Sequence, residues 1–408
     1  MREALRITDE ELFSRRRSCP ARIFLTGGTG FLGSHLAAAF LERGHDVALL
    51  ARLGRTASAA ERVSRLMDWF GLGPEARRRL RVLEGDVTQY RLGLDPDAYR
   101  SAGELAEEVV HCASETSFSL RRRAEVERVN GEGLRRVLQF ARESRALAFH
   151  HVSTAFVAGR TTGPCPEELV TETQFHNPYE ETKCRGEHEV LVACAEAGIR
   201  PSIYRPSIVY GDSRTGRSLL FNAVYYPVRT ALMIRDFCEA DIRENGGQKA
   251  AAMGVRLEAG GTMRLPLRIA VAAEGGLNLV PVDHFVEAFL ALREDAPEGG
   301  IFHIVNPRPK RIEDIVDYSS RLFRLRGIST VTEDEIARRP RNALERMFDQ
   351  YLEVYRPYML DRRAFARDRS GPLLERRGIA CPEFDYENFR RCMTFAVEAG
   401  WGAKLPVS

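Results

Sequence analysis

The stretch Arg22-Ile-Phe-Leu-Thr26-Gly27-Gly28-Thr29-Gly30-Phe31-Leu32-Gly33 decides the fold. Its first five residues read as a short buried strand. Over residues 34–43, apolar Leu36, Ala37, Phe40 and Leu41 have helical spacing. Gly44 is a natural helix stop, and the apolar run at 46–50 reads as a second strand. Strand, glycine turn, helix and strand make a βαβ unit, which predicts an α/β protein with a parallel sheet and helices on both faces. Each glycine has its own task. Gly27 allows the tight turn, Gly30 lets the backbone approach a pyrophosphate, and Gly33 lets the helix pack closely on the strand. The phosphate then rests on the helix N-terminus, with Thr29, Phe31 and Leu32 completing the cofactor-binding turn.

The alternation continues outward. Strands are expected at 81–84, 109–112, 148–153 and 202–205, and helices at 58–70, 124–143 and 179–197. After Asp212 the rhythm stops. Residues 213–277 hold several Arg, a glycine-rich stretch and helical segments. Residues 278–306 return to it briefly, and 308–408 look mostly helical. The expected organisation is an N-terminal arm (1–20) and a Rossmann-type doubly wound domain (21–212, completed by 278–307). A smaller, mostly helical substrate-binding lid would come from 213–277 and 308–408.

Composition narrows the class. The 408 residues, 44% hydrophobic and 29% charged, suit a soluble globular chain of two or three domains. A net charge of +3 does not predict a nucleic-acid partner. Only four of the 60 basic residues are Lys (183, 249, 310 and 404), so each Lys is informative. The eight Cys show neither metal-ligand spacing nor a disulfide framework, and reduced thiols in a cytoplasmic enzyme are the simplest account. No apolar run is long enough for a membrane span, and the first 20 residues lack the apolar core of a secretory signal.

Three further sites carry chemistry. At the end of the second strand, Leu49-Leu-Ala-Arg52-Leu-Gly-Arg55 offers two Arg where an NAD-binding chain would carry an acid. Arg52 and Arg55 suit a 2′-phosphate, so NADPH is the expected cofactor. Tyr179-Glu-Glu-Thr-Lys183 puts a phenol and an ammonium on one helix face, a pairing expected only about 0.1 times by chance in this composition. A Lys beside a phenol lowers its pKa, and a Tyr so tuned can protonate a developing alkoxide. Thr154, 25 residues before Tyr179, ends a strand and can orient a carbonyl, while the adjacent Ser153 points the other way. His150 and His151 read as strand packing, since the Tyr already supplies the proton. Arg214, Arg217, Arg229 and Arg235 are candidates for a CoA or phosphopantetheine phosphate. In so Arg-rich a chain they read better as solvated or structural.

Together these residues resemble the extended short-chain dehydrogenase/reductases. Longer segments are similar to the thioester reductase and fatty acyl-CoA reductase group. They include Gly85-Asp86-Val87 with Leu92-Gly-Leu94, His111-Cys112-Ala113-Ser114, Val129-Asn130-Gly-Glu-Gly133, His151-Val-Ser-Thr-Ala155, Tyr204-Arg-Pro-Ser-Ile-Val-Tyr210 and Leu279-Val-Pro-Val-Asp283. The resemblance covers about residues 21–306; beyond 310 only Tyr355-Arg-Pro-Tyr358 is suggestive. It implies a catalytic triad of Thr154, Tyr179 and Lys183, supported by Asn130. It also places Asp86 and Val87 at the adenine, Cys112 and Ala113 along the phosphate–ribose stretch, and Pro206 to Ile208 at the nicotinamide. Lys183 would also hold the nicotinamide ribose. Two departures stand out: Cys112-Ala113 replaces an alanine pair, and Glu180-Glu181-Thr182 is unusually acidic.

The activity so implied is NADPH-dependent reduction of an acyl thioester, on CoA or on an acyl carrier protein in trans, to the aldehyde; a second hydride could give the alcohol. With no adenylation or carrier segment ahead of the glycine motif, the acyl group is expected to arrive already activated. Family analogy also implies a homodimer. The alternatives are an extended short-chain dehydrogenase acting on a ketone or hydroxyl, a sugar-nucleotide epimerase or dehydratase, and a non-enzymatic NADP sensor. Epimerases of this kind retain NAD, which fits Arg52 poorly, and sensors tend to lose the Tyr or Lys.

Overall fold

Apolar runs bounded by glycine and polar turns form seven parallel strands: β1 (Arg22–Thr26), β2 (Asp46–Ala51), β3 (Leu80–Glu84), β4 (Glu108–His111), β5 (Ala148–Val152), β6 (Arg200–Pro206) and β7 (Gly300–Ile304). They lie in the order β7-β6-β5-β4-β1-β2-β3, a doubly wound sheet of the Rossmann kind. These coordinates are a computed structural model describing residues 20–54 and 56–405; Arg55 and the expected arm, apart from Pro20, lie outside the described residues. Among the described residues no helix is long and apolar enough to cross a membrane.

Strand order reverses between β1 and β4, where Thr26 pairs with His111, so a crevice opens at the carboxyl ends of these two strands. Helices α1 (Phe31–Glu42) and α2 (Ala59–Trp69) pack on one face, with Leu25, Leu36, Phe40 and Leu66 in their core. Helices α3 (Leu134–Glu143) and α4 (Pro178–Ala197) pack on the other, through Phe24, Leu134, Phe140 and Val190. The helix expected over 124–143 is interrupted by a π-helical turn at Arg128–Gly133, which widens the backbone around Asn130.

The region read as mostly helical also carries strands. Leu325–Val331 runs parallel to Met263–Ala270, and Arg363–Phe365 parallel to Gly163–Cys165. Residues 263–270 alternate in burial, with Met263, Leu265, Leu267 and Ile269 inside. Arg264 and Arg268 keep that period of two in the sequence, but Pro266 argues against a strand there.

The deepest polar contact joins α4 to β6. Arg205 Nε donates to Glu187 Oε1 at 2.9 Å and Nη2 to Oε2 at 2.5 Å. Both side chains are essentially solvent-free, at 1% and 0% exposure. A desolvated pair of this geometry is costly to break, because the surviving charge is left alone. We expect Glu187→Ala to lower unfolding free energy by about 3–5 kcal/mol, and Glu187→Met with Arg205→Met together to cost less than that single change. Urea unfolding of the three variants checks both statements.

Candidate active site

The glycine turn is built as its sequence requires. Gly27 has φ +75°, and a Cβ there would sit 2.4 Å from the Ala113 amide nitrogen. A Cβ on Gly33 would sit 2.3 Å from the Gly27 carbonyl oxygen. No side chain caps α1 and no acidic residue occupies its first turn, so the leading amides are available to an anion.

This turn floors a cleft of about 710 Å³. Among the expected site residues, Gly27, Thr29, Gly30, Phe31, Leu32, Gly33, Cys112, Thr154, Tyr179, Lys183, Pro206 and Ile208 line it together. Asn130, Arg52, Asp86, Val87 and Ala113 do not line it. The Ser207 hydroxyl, also at the wall, is buried without a hydrogen-bond partner. Uncapped amides, a backbone that admits no Cβ and an orphaned hydroxyl at the far end fit a nicotinamide dinucleotide laid across the crevice.

Thr154 lies two residues past the end of β5 and is 4% exposed. Its hydroxyl accepts from the Phe156 amide at 3.3 Å and donates to the Pro206 carbonyl at 3.5 Å. Ser153 turns away, donating to Glu187 at 2.6 Å. Asn177 caps α4, its Oδ1 accepting from the Glu180 amide at 3.0 Å, and so sets Tyr179 on the first turn facing the cleft. Lys183, one turn on, donates to the Val152 carbonyl at 2.7 Å.

The electrostatics correct one expectation. Burial raises the Tyr179 pKa, and it outweighs the opposing pull of the Thr154 hydroxyl. Lys183 is shifted as well. Its own ammonium is held by a carbonyl, and burial brings its pKa down to about 8. Tyr179 is therefore a neutral phenol throughout the physiological range, the form that can give a proton. Nearby His111 accepts or donates through Nδ1 to the Thr26 hydroxyl at 2.8 Å, and burial with Lys183 close by drops its pKa to about 3. His151 stacks on it at 5.6 Å and is likewise kept neutral, chiefly by burial. His150 lies between Tyr204 and Glu108 inside the sheet.

Asn130 is a positioning residue. Its Oδ1 accepts from Ser114 Oγ at 3.1 Å and the Glu115 amide at 2.8 Å. Its Nδ2 donates to the Glu115 carbonyl and to Thr182 Oγ1, each at 3.0 Å. The amide thus ties the loop after β4 to α4. The acidic run has equally local reasons. Glu181 pairs with Arg123 at 2.7 Å, and buried Glu180 accepts from the Tyr358 hydroxyl at 2.7 Å. Asp86 Oδ1 accepts from the Thr88 amide and hydroxyl, shaping the turn after β3.

At the end of β2, Arg52 is exposed and its carbonyl accepts from Arg62 Nη1 at 2.8 Å. Arg62, on the first turn of α2, escaped the sequence reading because it lies ten residues past Arg52. The four arginines after Asp212 are engaged, Arg214 with Asp212 and Asp283. Arg217 stacks on Trp69 at 4.0 Å and donates to its carbonyl, Arg229 lies over Trp401, and Arg235 pairs with Asp236.

Burial lowers the Lys183 pKa below the ordinary 10.5, so the unfolded chain holds more protons between about pH 8 and 10.5. The resulting destabilisation is complete below pH 8 and is relieved as pH rises through that window. With four lysines, carbon-13 lysine labelling gives four spectra to assign. The resonance lost in Lys183→Arg should titrate near pH 8, and the Lys310 resonance above its ordinary value.

Comparison with known proteins agrees with this geometry. The family model described as male sterility protein, an NAD-binding domain, matches residues 25–289. An isonitrile lipopeptide synthase of Streptomyces coeruleorubidus is 30% identical over 209 residues, 50% of this chain and 14% of that protein. A Drosophila melanogaster protein provisionally named a fatty acyl-CoA reductase is 28% identical over 241 residues, 50% of this chain and 43% of that one. This chain therefore spans less than half the length of either relative. The solved terminal R domain of the myxalamid PKS-NRPS pathway shares the fold, with a TM-score of 0.71 at 21% identity over 94% of this chain and 92% of that one. With the model matching well over half of its length, the chain belongs to the male sterility family of NAD-binding domains.

Proposed function

We propose that this protein reduces an acyl thioester to an aldehyde and a free thiol, with NADPH as reductant; a second hydride would carry the aldehyde to the alcohol. The observation that supports this best is the convergence of Thr154, Tyr179 and Lys183 on one cleft with the open glycine turn. The relatives named above are a lipopeptide synthase and a protein named for acyl-CoA reduction, which favours a thioester on a carrier or on CoA.

The α1 amides would hold the pyrophosphate, Pro206 to Ile208 would border the nicotinamide, and Arg52 with Arg62 would meet the 2′-phosphate. The bound cofactor supplies the hydride. The thioester carbonyl lies against the Thr154 and Tyr179 hydroxyls, which stabilise negative charge as it develops on oxygen. Tyr179 gives that oxygen its proton, and the Lys183 ammonium offsets the phenolate left behind. The thiohemiacetal then loses its thiol and leaves the aldehyde. Residues 213–277 and 308–405 would cover the substrate half of the cleft.

Purified protein given NADPH and a panel of acyl-CoA and carrier-bound thioesters should consume NADPH and release thiol together. A ratio of one NADPH per thiol marks the aldehyde, and two mark the alcohol. NADPH binding without turnover on either carrier would overturn the reading in favour of a ketone, hydroxyl or sugar-nucleotide substrate. Tyr179→Phe should lower kcat by about 10²–10⁴-fold while NADPH still binds. Arg52→Ala and Arg62→Ala should each weaken NADPH by about 10-fold or more and spare NADH. Equal weakening of both cofactors defeats the 2′-phosphate assignment.

A further inference from the structure

The half of the cleft beyond Tyr179 is aromatic. The Phe118 ring lies 5.9 Å from Tyr179, 5.9 Å from Tyr355 and 5.1 Å from Tyr358, stacked at 26° on the last. Phe156 meets Tyr358 edge-on at 5.1 Å. Met359, Leu277 and Val224 continue the same wall, so its chemistry suits an apolar group rather than a polar one.

Tyr358 differs from its neighbours because its two ends do separate things. Its ring lines the cleft. Its hydroxyl turns away, accepting from Asn177 Nδ2 at 2.7 Å and donating to Glu180 Oε1 at 2.7 Å. Those two residues flank Tyr179 in the chain. Asn177 is the cap of α4, and the other Glu180 oxygen accepts from the His176 amide at 2.9 Å. One hydroxyl therefore fastens both sides of the helical turn that presents Tyr179. The fastening is itself braced. Arg363 lies 3.9 Å from Glu180 Oε1, stacks over Phe156 at 4.7 Å and is gripped by both oxygens of Asp361. Glu180 is fully buried, so removing its hydroxyl partner leaves a desolvated oxygen.

We propose that Tyr358 is a positioning and specificity-determining residue: its ring is the wall on which an apolar acyl group lies, and its hydroxyl sets the turn carrying Tyr179. The acyl half rests on the thioester reading given above. The positioning half rests on the hydrogen bonds alone. Small displacements of a proton donor cost heavily in rate, up to about 10²-fold per ångström.

Tyr358→Phe keeps the ring and removes the hydroxyl. We expect kcat to fall about 10–100-fold, with the thioester KM and the NADPH Kd within about threefold of wild type. Hydrogen exchange of the 179–183 amides should quicken in the full-length protein, with β1 and α1 unchanged. Tyr358→Leu should in addition raise the KM for long apolar acyl groups and shift the preferred chain length. Wild-type kcat and wild-type exchange in Tyr358→Phe overturn the positioning role. An unchanged acyl-length profile in Tyr358→Leu overturns the specificity role. Should Tyr358→Phe not fold, Asn177→Ser retains a helix cap but cannot reach the Tyr358 hydroxyl, and it should reproduce the kcat loss. A folded Asn177→Ser protein with wild-type kcat overturns the role equally. A wild-type protein inactive on every thioester defeats the functional reading instead, and exchange in Tyr358→Phe still decides the positioning claim.

Discussion

The contact between Glu187 and Arg205 governs the rest of the site. Tyr179, Lys183 and Glu187 follow one another at intervals of four along α4 and so share the face turned to the sheet. The last is locked to β6, whose neighbour β5 leads into Thr154. Rotating or sliding α4 would strand a charge in a region without water, which fixes the phenol and the ammonium relative to the threonine. Ser153 strengthens the lock by bonding the same carboxylate, and the alternation of β5 then sends Thr154 into the cleft. The ion pair thus shares one helix face with Tyr179 and Lys183.

What the sequence made legible was local. The glycine turn, the strand-end hydroxyl and the Tyr–Lys pair are patterns of a few residues, and each states its geometry through backbone rules. What stayed hidden depends on partners far along the chain. Nothing near Asn130 announces that its amide will bind the loop at 114–115, and nothing near Glu180 announces Tyr358, 178 residues away. The phenol was misjudged for a related reason. Spacing tells which charge is near, whereas burial, the larger influence on Tyr179, emerges only when the layers close. The strand Met263–Ala270 was obscured by its own proline, though its inward residues alternate cleanly.

The chain's preference for arginine also acquires a meaning. Arg205, Arg268, Arg293 and Arg363 each grip a carboxylate through two nitrogens, as a rigid planar fork permits. Lys183 grips none; it rests on a carbonyl and titrates close to neutrality. Where a permanent charge serves architecture the chain uses arginine. In the proposed reaction the charge that answers a neighbour's proton is a lysine.

The strand Arg363–Phe365, which pairs with Gly163–Cys165, bears on the order in which the molecule comes into being. During synthesis the nucleotide crevice can assemble from the first two hundred residues, since its strands and helices are near one another in sequence. The segment that carries Tyr358 and Arg363 emerges much later and must close a loop of nearly two hundred residues before it can dock. A nascent chain can therefore form the glycine turn and α4 while the turn that presents Tyr179 still lacks the Tyr358 hydroxyl. On the proposed reading, competence for chemistry would arrive with the late pairing, and the fold would separate in time the two capacities that the finished cleft brings together.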